Sequence, residues 1–443
     1  MMSLSLGKAL RVQPSSCIAF VGAGGKSTAM FTLAKELPKP VIITSTTHLG
    51  TWQVPLADFH IIANNSPAME KAVSDLENNV ILITGEIEGD RTKPVNDELL
   101  TWLPSFCLSR AIPLLIEADG GRQKSLKAWA DHEPSIPIFV DHVVQVAGMS
   151  GIGKPLTEEN IHRAEIFSKF SGLSTGESVT AKSLVQILTN ENGGLKNIPP
   201  EAKRSVLLNQ ADIPEMQSIA HAMVNVLLPY YHSVLIASLK NETIHAVHEP
   251  IAGIILAAGE ASRFGEPKQL LKWKGEPFVR AVSQTALRAG LSPVVVVTGA
   301  YAEQVEAVVH DLDVRIVRNE NWETGQGSSI REGVRSLPNE CGGAIFLLAD
   351  QPQVDIPILQ ALKEKHAEGL YPIIPPMVID RRANPVLFDR VTFPDLMSIE
   401  GDTGGRAIFH KHRVEYLPWH DDGLLLDVDT PEQYQRLISN EDL

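Results

Sequence analysis

The run Leu256-Ala-Ala-Gly-Glu-Ala-Ser-Arg-Phe-Gly-Glu-Pro-Lys268 joins a small-residue loop to two cations at fixed offsets. That combination suits phosphate chemistry. Beyond Leu256, the main chain at Ala257, Ala258 and Gly259 lets an anion approach closely, because little or no side chain intervenes. Consecutive N–H groups form an anion-binding nest. Arg263 and Lys268 would mask charge on a departing phosphate group. Further on, the apolar run Ala344–Leu348 ends in Ala349-Asp350-Gln351-Pro352. Ligands of open α/β sheets sit at that strand edge, and a hard carboxylate there suits Mg²⁺ bound together with substrate phosphates. Asp350 also reads as a turn residue before Pro352. Two more acids lie in Leu424-Leu-Leu-Asp427-Val-Asp429-Thr-Pro-Glu432. Asp427 is the favoured metal ligand of the two, and Asp429 either supports it or caps the helix that Pro431 would open. Thr324-Gly325-Gln-Gly-Ser328-Ser329, followed by Arg331, is a Gly- and Ser-rich loop before a helix. It reads as a binding loop for base, ribose or phosphates, or as a plain helix cap.

A second set of such residues stands near the N-terminus. Phe20-Val-Gly22-Ala-Gly24-Gly25-Lys26-Ser27-Thr28 follows an apolar run and opens a helical pattern. It is P-loop-like, with N–H groups and Lys26 for phosphates and the Ser27 hydroxyl for Mg²⁺. The match to GxxxxGK[ST] is partial, because its first glycine would fall at Phe20. Leu114-Leu-Ile-Glu117-Ala-Asp119 is another strand ending in acids, where a metal-associated carboxylate would sit. Asn209-Gln-Ala-Asp212 is similar to the guanine-reading NKxD pattern, with Gln210 in place of the lysine. His48, after Thr46-Thr47, is either a group at the phosphate site or a solvated side chain near a helix cap.

These residues need a scaffold, and the hydrophobic pattern supplies one. In the first half, apolar runs over Cys17–Val21, Val41–Thr44, Val80–Thr84, Leu114–Ala118, Val143–Ala147, Val206–Asn209 and Ser233–Ser238 alternate with helix-like stretches over Ser27–Glu36, Pro67–Glu77 and Pro214–Leu228. In the second half, strands are expected at Ile251–Ala257, Pro293–Thr298, Val314–Val317, Ala344–Leu348 and Pro372–Ile374, with helices at Pro277–Ala289, Ala302–His310 and Ile356–Glu368. Such alternation predicts α/β architecture, two doubly wound domains in series. Asn241–Pro250 reads as the connector between domains spanning 1–245 and 251–443.

Composition narrows the class. The 443 residues are enough for two or three domains, each able to bury a core. Basic residues number 39 and acidic residues 53, giving a net charge of −14, which argues against nucleic acid as a partner. Cys17, Cys107 and Cys341 form no CxxC pair, so reduced thiols in a cytoplasmic protein are expected. No apolar run reaches ~18 residues, and the first residues lack a signal-peptide pattern.

Taken together, LAAGEASRFGEPKQLL, ADQP and LDVDTPE resemble the molybdopterin nucleotidyltransferases over roughly residues 251–440, and within them the molybdenum cofactor cytidylyltransferases. Arg381–Phe388 and Gly401–Arg406 are similar to that subfamily's later motifs, although Ala383 stands where glycine is more usual. The resemblance implies a Rossmann-like nucleotidyltransferase domain. It also implies CMP transfer from CTP to the terminal phosphate of molybdenum-loaded molybdopterin, with release of pyrophosphate. Mg²⁺ on Asp350 and Asp427 would bridge the phosphates, while Lys268 and Arg263 steady the leaving group. GAGGKST, STTH, EADGGR, SLKA, DHEP, HRAE and LLNQAD resemble the YqeC family over about residues 10–240, accessory factors of selenium-dependent molybdenum hydroxylases. That resemblance points to the same cofactor pathway as the C-terminal half, with an apo molybdenum hydroxylase as client, while the P-loop-like residues themselves suggest a nucleotide site for ATP or GTP. Use of GTP, another phosphorylated acceptor, or a carrier or insertion-chaperone role remain the alternatives.

Overall fold

Uninterrupted runs of Val, Ile and Leu lose nothing by having both faces covered, and they form the central strands of each half. A computed structural model describes residues 4–63, 73, 78–260, 267–426, 428 and 430–439. The chain divides into two units, Met1–His248 and Glu249–Leu443.

The main sheet of the first unit contains β1 (Cys17–Gly22), β2 (Val41–Ser45), β3 (Phe59–Ile62), β4 (Val80–Thr84), β5 (Leu114–Glu117), β6 (His142–Gly148), β7 (Lys203–Asn209), β8 (Ser233–Ser238) and β9 (Thr243–His248). Their order is β9-β8-β7-β6-β1-β5-β2-β4-β3. All neighbours run parallel except β8 and β9. Every residue of β1, β2, β4, β5, β6 and β8 is buried. Helix α1 (Lys26–Glu36) starts directly after the glycine loop that leaves β1.

The connector expected over Asn241–Pro250 is instead largely strand β9. Glu242, with φ +52°, reverses the chain. Thr243–His248 then pairs antiparallel with β8, burying Ile244, Ala246 and Val247. Its Thr and His residues break the apolar run that would have announced a strand. The helix expected over Pro67–Glu77 lies, apart from Val73, outside the described residues.

The second unit is built on β10 (Ile251–Ala257), β11 (Val294–Thr298), β12 (Arg315–Arg318), β13 (Gly343–Leu348), β14 (Ile373–Ile374) and β15 (Val386–Asp389). The order is β12-β11-β10-β13-β15-β14. The first four are parallel, and β15 is antiparallel to both β13 and β14. Side chains alternate between faces along each strand. Ile255, Val296 and Ile345 pack into one core with Val282 and Leu362, from the helices Phe278–Arg288 and Ile356–Gly369. Ile254, Val295 and Phe346 pack into another with Ile330 of α2 (Gln326–Arg335). Helices therefore cover both faces, and the C-terminal edge of the sheet is left for ligands.

The three cysteines are buried and unpaired. Among the described residues, no helix is long and apolar enough to cross a membrane.

Candidate functional site

Strands β10 and β13 are neighbours, with Leu256 opposite Leu348. The loops leaving both strands therefore emerge side by side at the C-terminal edge. Between them lies a cavity of about 560 Å³, lined by Leu256, Ala257, Ala258, Gly259, Lys268, Gly325, Ser329 and Asp350. The residues singled out for phosphate handling thus meet in one place, although they come from four segments of sequence. Among the described residues of this set, Ser328 does not line the cavity. Its hydroxyl donates to the Gly325 carbonyl (2.8 Å) and accepts from Asn319 Nδ2 (2.7 Å), so it shapes the loop. Arg263, Asp427 and Asp429 lie outside the described residues.

Gly325 needs to be glycine. Its φ of +104° and ψ of 176° fall in a region that side chains disfavour, and a Cβ would stand 2.4 Å from the Asp402 nitrogen. The Gly325–Gln326 turn is therefore pressed against the loop carrying Asp402, whose Oδ1 accepts from the Gln326 N–H at 3.4 Å. Both Gln326 and Asp402 line the cavity, as do Trp322 and Gln269. Gln269 is buried, and its Nε2 donates to the carbonyls of Gly259 (3.3 Å) and Ala257 (3.5 Å), holding the near end of the loop. Gln269, Gln326 and Asp402 sit within runs singled out from the sequence but have no individual role there, and Trp322 lies outside those runs. Residue type alone marks none of the four, and only the folded loops show that they line the cavity.

A second cavity of about 420 Å³ adjoins the first. Ile330, Phe346, Val386 and Phe388 make it apolar, and Asn384 and Arg406 add polar groups. Leu256, Gln326, Leu348 and Asp350 line both cavities. The half-buried Asp350 carboxylate therefore stands where the two spaces meet.

The first unit holds its own cleft, of about 390 Å³, at the C-terminal edge of β1 and β5. Gly24, Gly25, Lys26, Ser27, Thr28, His48 and Glu117 line it. Gly22, Gly24 and Gly25 all have positive φ, and a Cβ on Gly22 would fall 2.1 Å from the Val146 carbonyl. The expected nest is only partly available to a ligand. The N–H groups of Gly22, Ala23 and Gly24 donate to Asp119, Val146 and Lys124. The first turn of α1, over Lys26, Ser27 and Thr28, keeps N–H groups with no partner inside the helix.

Beneath this loop is a buried charge cluster. Lys26 Nζ donates to the Gly22 carbonyl at 2.8 Å and lies 3.1 Å from Asp119 and 3.9 Å from Glu117. Asp119 Oδ2 accepts from Gly22 N (2.9 Å), Lys127 Nζ (2.9 Å) and Trp129 Nε1 (2.7 Å). Burial works to raise the Asp119 pKa, but Lys26 and Lys127 outweigh it and hold the group below its ordinary value. Glu117 is pushed up by burial; it accepts from the Ser27 hydroxyl at 3.1 Å and faces the cleft. Of the two acids read from Glu117-Ala-Asp119, Glu117 is thus the one open to a ligand. Asn209 donates to the Gly24 carbonyl and accepts from Leu239 N, and Asp212 accepts from Ser238. Asn209 and Asp212 therefore brace the loops, and Gln210 reaches the cleft rim.

The family model for the YqeC protein matches residues 18–165, and that for the MobA-like NTP transferase domain matches residues 253–416. Nicotine blue oxidoreductase from Paenarthrobacter nicotinovorans is 32% identical over 197 residues, covering 42% of this chain and 96% of that protein. The uncharacterized protein YqeC of Escherichia coli (strain K12) is 30% identical over 202 residues, covering 44% of this chain and 75% of that protein. A probable molybdenum cofactor guanylyltransferase of Bacillus cereus (strain Q1) is 28% identical over 205 residues, covering 43% of this chain and 98% of that protein. The chain is thus a nucleotidyltransferase that belongs to the YqeC family through its N-terminal half and to the MobA-like NTP transferase family through its C-terminal half.

Proposed function

We propose that the second unit transfers CMP from CTP to the terminal phosphate of molybdenum-bearing molybdopterin, releasing pyrophosphate. The carrying observation is the placing of Asp350 between two adjoining cavities. The larger one, with its glycine loop and Lys268, suits a nucleoside triphosphate. The smaller one, with two aromatic rings, Asn384 and Arg406, suits a planar ring system that bears a phosphate. An acceptor phosphate oxygen would attack the α-phosphorus, and the bond to the β-phosphate oxygen would break. The acceptor is already ionised, so no side-chain base is required. Lys268 would steady the leaving pyrophosphate, and the two cavities would align the reacting groups.

Asp350 also fits a divalent cation. Among the described residues, no group of three or more His, Cys, Asp or Glu side chains is placed to hold a metal. A site shared between one or two carboxylates and substrate phosphates is the usual arrangement for Mg²⁺. Asp350 would hold it, with Asp427 as the proposed second ligand, and the ion would neutralise phosphate charge.

GTP is the second reading for the base. The Bacillus relative is named a guanylyltransferase, whereas the motif resemblance favours CTP. The Paenarthrobacter relative is named an oxidoreductase, but the cations, glycine backbone and carboxylate of this site favour phosphate transfer. The deciding experiment measures pyrophosphate release with Mg²⁺, molybdenum-loaded molybdopterin and CTP, GTP or ATP in parallel. Release with CTP alone supports the proposal. Release with GTP overturns the base assignment, and release with none of them overturns the acceptor.

The first unit, 1–245, we read as a P-loop-like nucleotide-binding domain serving the transferase of 251–443. The support is a glycine loop that leaves a parallel strand and opens α1, with Ser27 and Glu117 beside it. An apo molybdenum hydroxylase in the cytoplasm is the proposed recipient of the product.

A further inference from the structure

Trp52 lines the cleft of the first unit, yet 54% of its surface is exposed. Its indole lies against Gly50, where a Cβ would fall 2.4 Å from Trp52 Nε1. Gly50 has φ −71°, a backbone conformation open to any residue. The lack of a side chain at Gly50, and not its backbone freedom, is what admits the ring. The adjacent Gln53 lines the same cleft and is only 5% exposed. Its Oε1 has no hydrogen-bond partner among the described residues. A buried amide oxygen left without a donor costs free energy. The same cleft is lined by the first turn of α1 and by the cations Arg122, Lys124 and Arg91, the last paired across the strand ladder with Gly50. The cleft therefore brings together groups that suit phosphates, a largely exposed indole and an unused acceptor.

We propose that this cleft takes a whole nucleoside triphosphate, with its base stacked on Trp52 and a base amine or ribose hydroxyl donating to Gln53 Oε1. The proposal rests on the reading of the 22–28 loop as a phosphate site and adds the part of the ligand that the loop does not explain. Stacking on an aromatic ring tolerates any base. An acceptor that needs a donor adds selectivity, because a partner lacking one leaves it unpaired.

Hydrogen exchange on the full chain locates each part of the ligand separately from the transferase site. ATP, GTP and inorganic tripolyphosphate are compared. Tripolyphosphate is expected to protect only 22–28. ATP or GTP is expected to protect 22–28 and 48–53 together. Trp52→Leu should weaken nucleotide binding at this cleft about tenfold and leave tripolyphosphate binding as it was. Gly50→Ala, which displaces the indole but keeps the tryptophan, should act in the same direction, and so should Gln53→Leu. Protection of 22–28 alone by ATP and GTP, or unchanged binding in Trp52→Leu, overturns the base site and spares the phosphate site. Protection of neither segment by any of the three probes overturns both.

Discussion

Lys26 Nζ and Asp119 Oδ1 lie 3.1 Å apart, and both side chains are buried. The pair binds the first turn of α1 to the loop that follows β5. Through Asp119 Oδ2 it reaches Gly22, Lys127 and Trp129 as well. The glycine loop is thus fixed from below by ionic contacts. Burial alone would lower the Lys26 pKa, but Asp119 and Glu117 outweigh it and hold it raised, so the ammonium stays charged.

Asp119→Asn should therefore be strongly destabilising. It leaves Lys26 and Lys127 buried with less counter-charge, and breaking a buried pair costs about 3–5 kcal/mol. Urea unfolding of the two chains, followed by far-ultraviolet circular dichroism, measures the difference. A cost below about 1 kcal/mol would mean that the cluster contributes little to the fold.

His162 sets a pH dependence. Burial, together with the nearby Lys127, Arg163 and Arg122, pushes its pKa down from 6.5 to about 4. The folded protein thus holds this ring neutral where the unfolded chain would protonate it. Stability from this group is full above pH 6.5, is lost as pH falls toward about 4, and levels off below that. His162→Gln should flatten that interval by roughly 1–2 kcal/mol. Unfolding midpoints recorded across the range would show whether the slope belongs to His162.

Asp350→Asn keeps the shape of the side chain and removes its charge. Turnover should fall by ~10²-fold or more, the scale for losing one electrostatic stabiliser of the transition state. Pyrophosphate release at saturating nucleotide and varied Mg²⁺ gives the comparison. Turnover close to that of the unaltered chain would take Asp350 out of the reaction.

Gly325→Ala combines an unfavourable φ with a clash against Asp402. A loss of about 1–3 kcal/mol is expected. Because the displaced loop lines the larger cavity, KM for the nucleotide should rise about tenfold while kcat changes less. The KM-to-kcat split from steady-state kinetics separates displacement of the loop from damage to the reacting groups.

Much of the scaffold was legible because the central strands are continuous apolar runs. Val80–Thr84 and Ser233–Ser238 appear with the expected limits, and Ile251–Ala257 likewise. Edge elements were harder. Phe59–Ile62 is partly exposed, and Thr243–His248 mixes polar and apolar residues, so neither carries a strong period. At the site, residue type and strand position sufficed to bring Gly259, Lys268 and Asp350 to one cavity. Spacing could not show that Asp119 occupies Lys26, since those two are distant in the chain. It also could not show that Ser328 bonds back to the Gly325 carbonyl, while Ser329, which shares Asn319 as a donor, lines the cavity.

The boundary position of Asp350 has a kinetic consequence. Two cavities that adjoin along Leu256, Gln326, Leu348 and Asp350 can be filled at the same time, and the reacting phosphates can then exchange the nucleotidyl group directly. No protein-bound nucleotidyl species has to form between two half-reactions. Initial rates measured against one substrate at several fixed levels of the other should give double-reciprocal lines that intersect. Parallel lines would mean that the first product departs before the second substrate arrives.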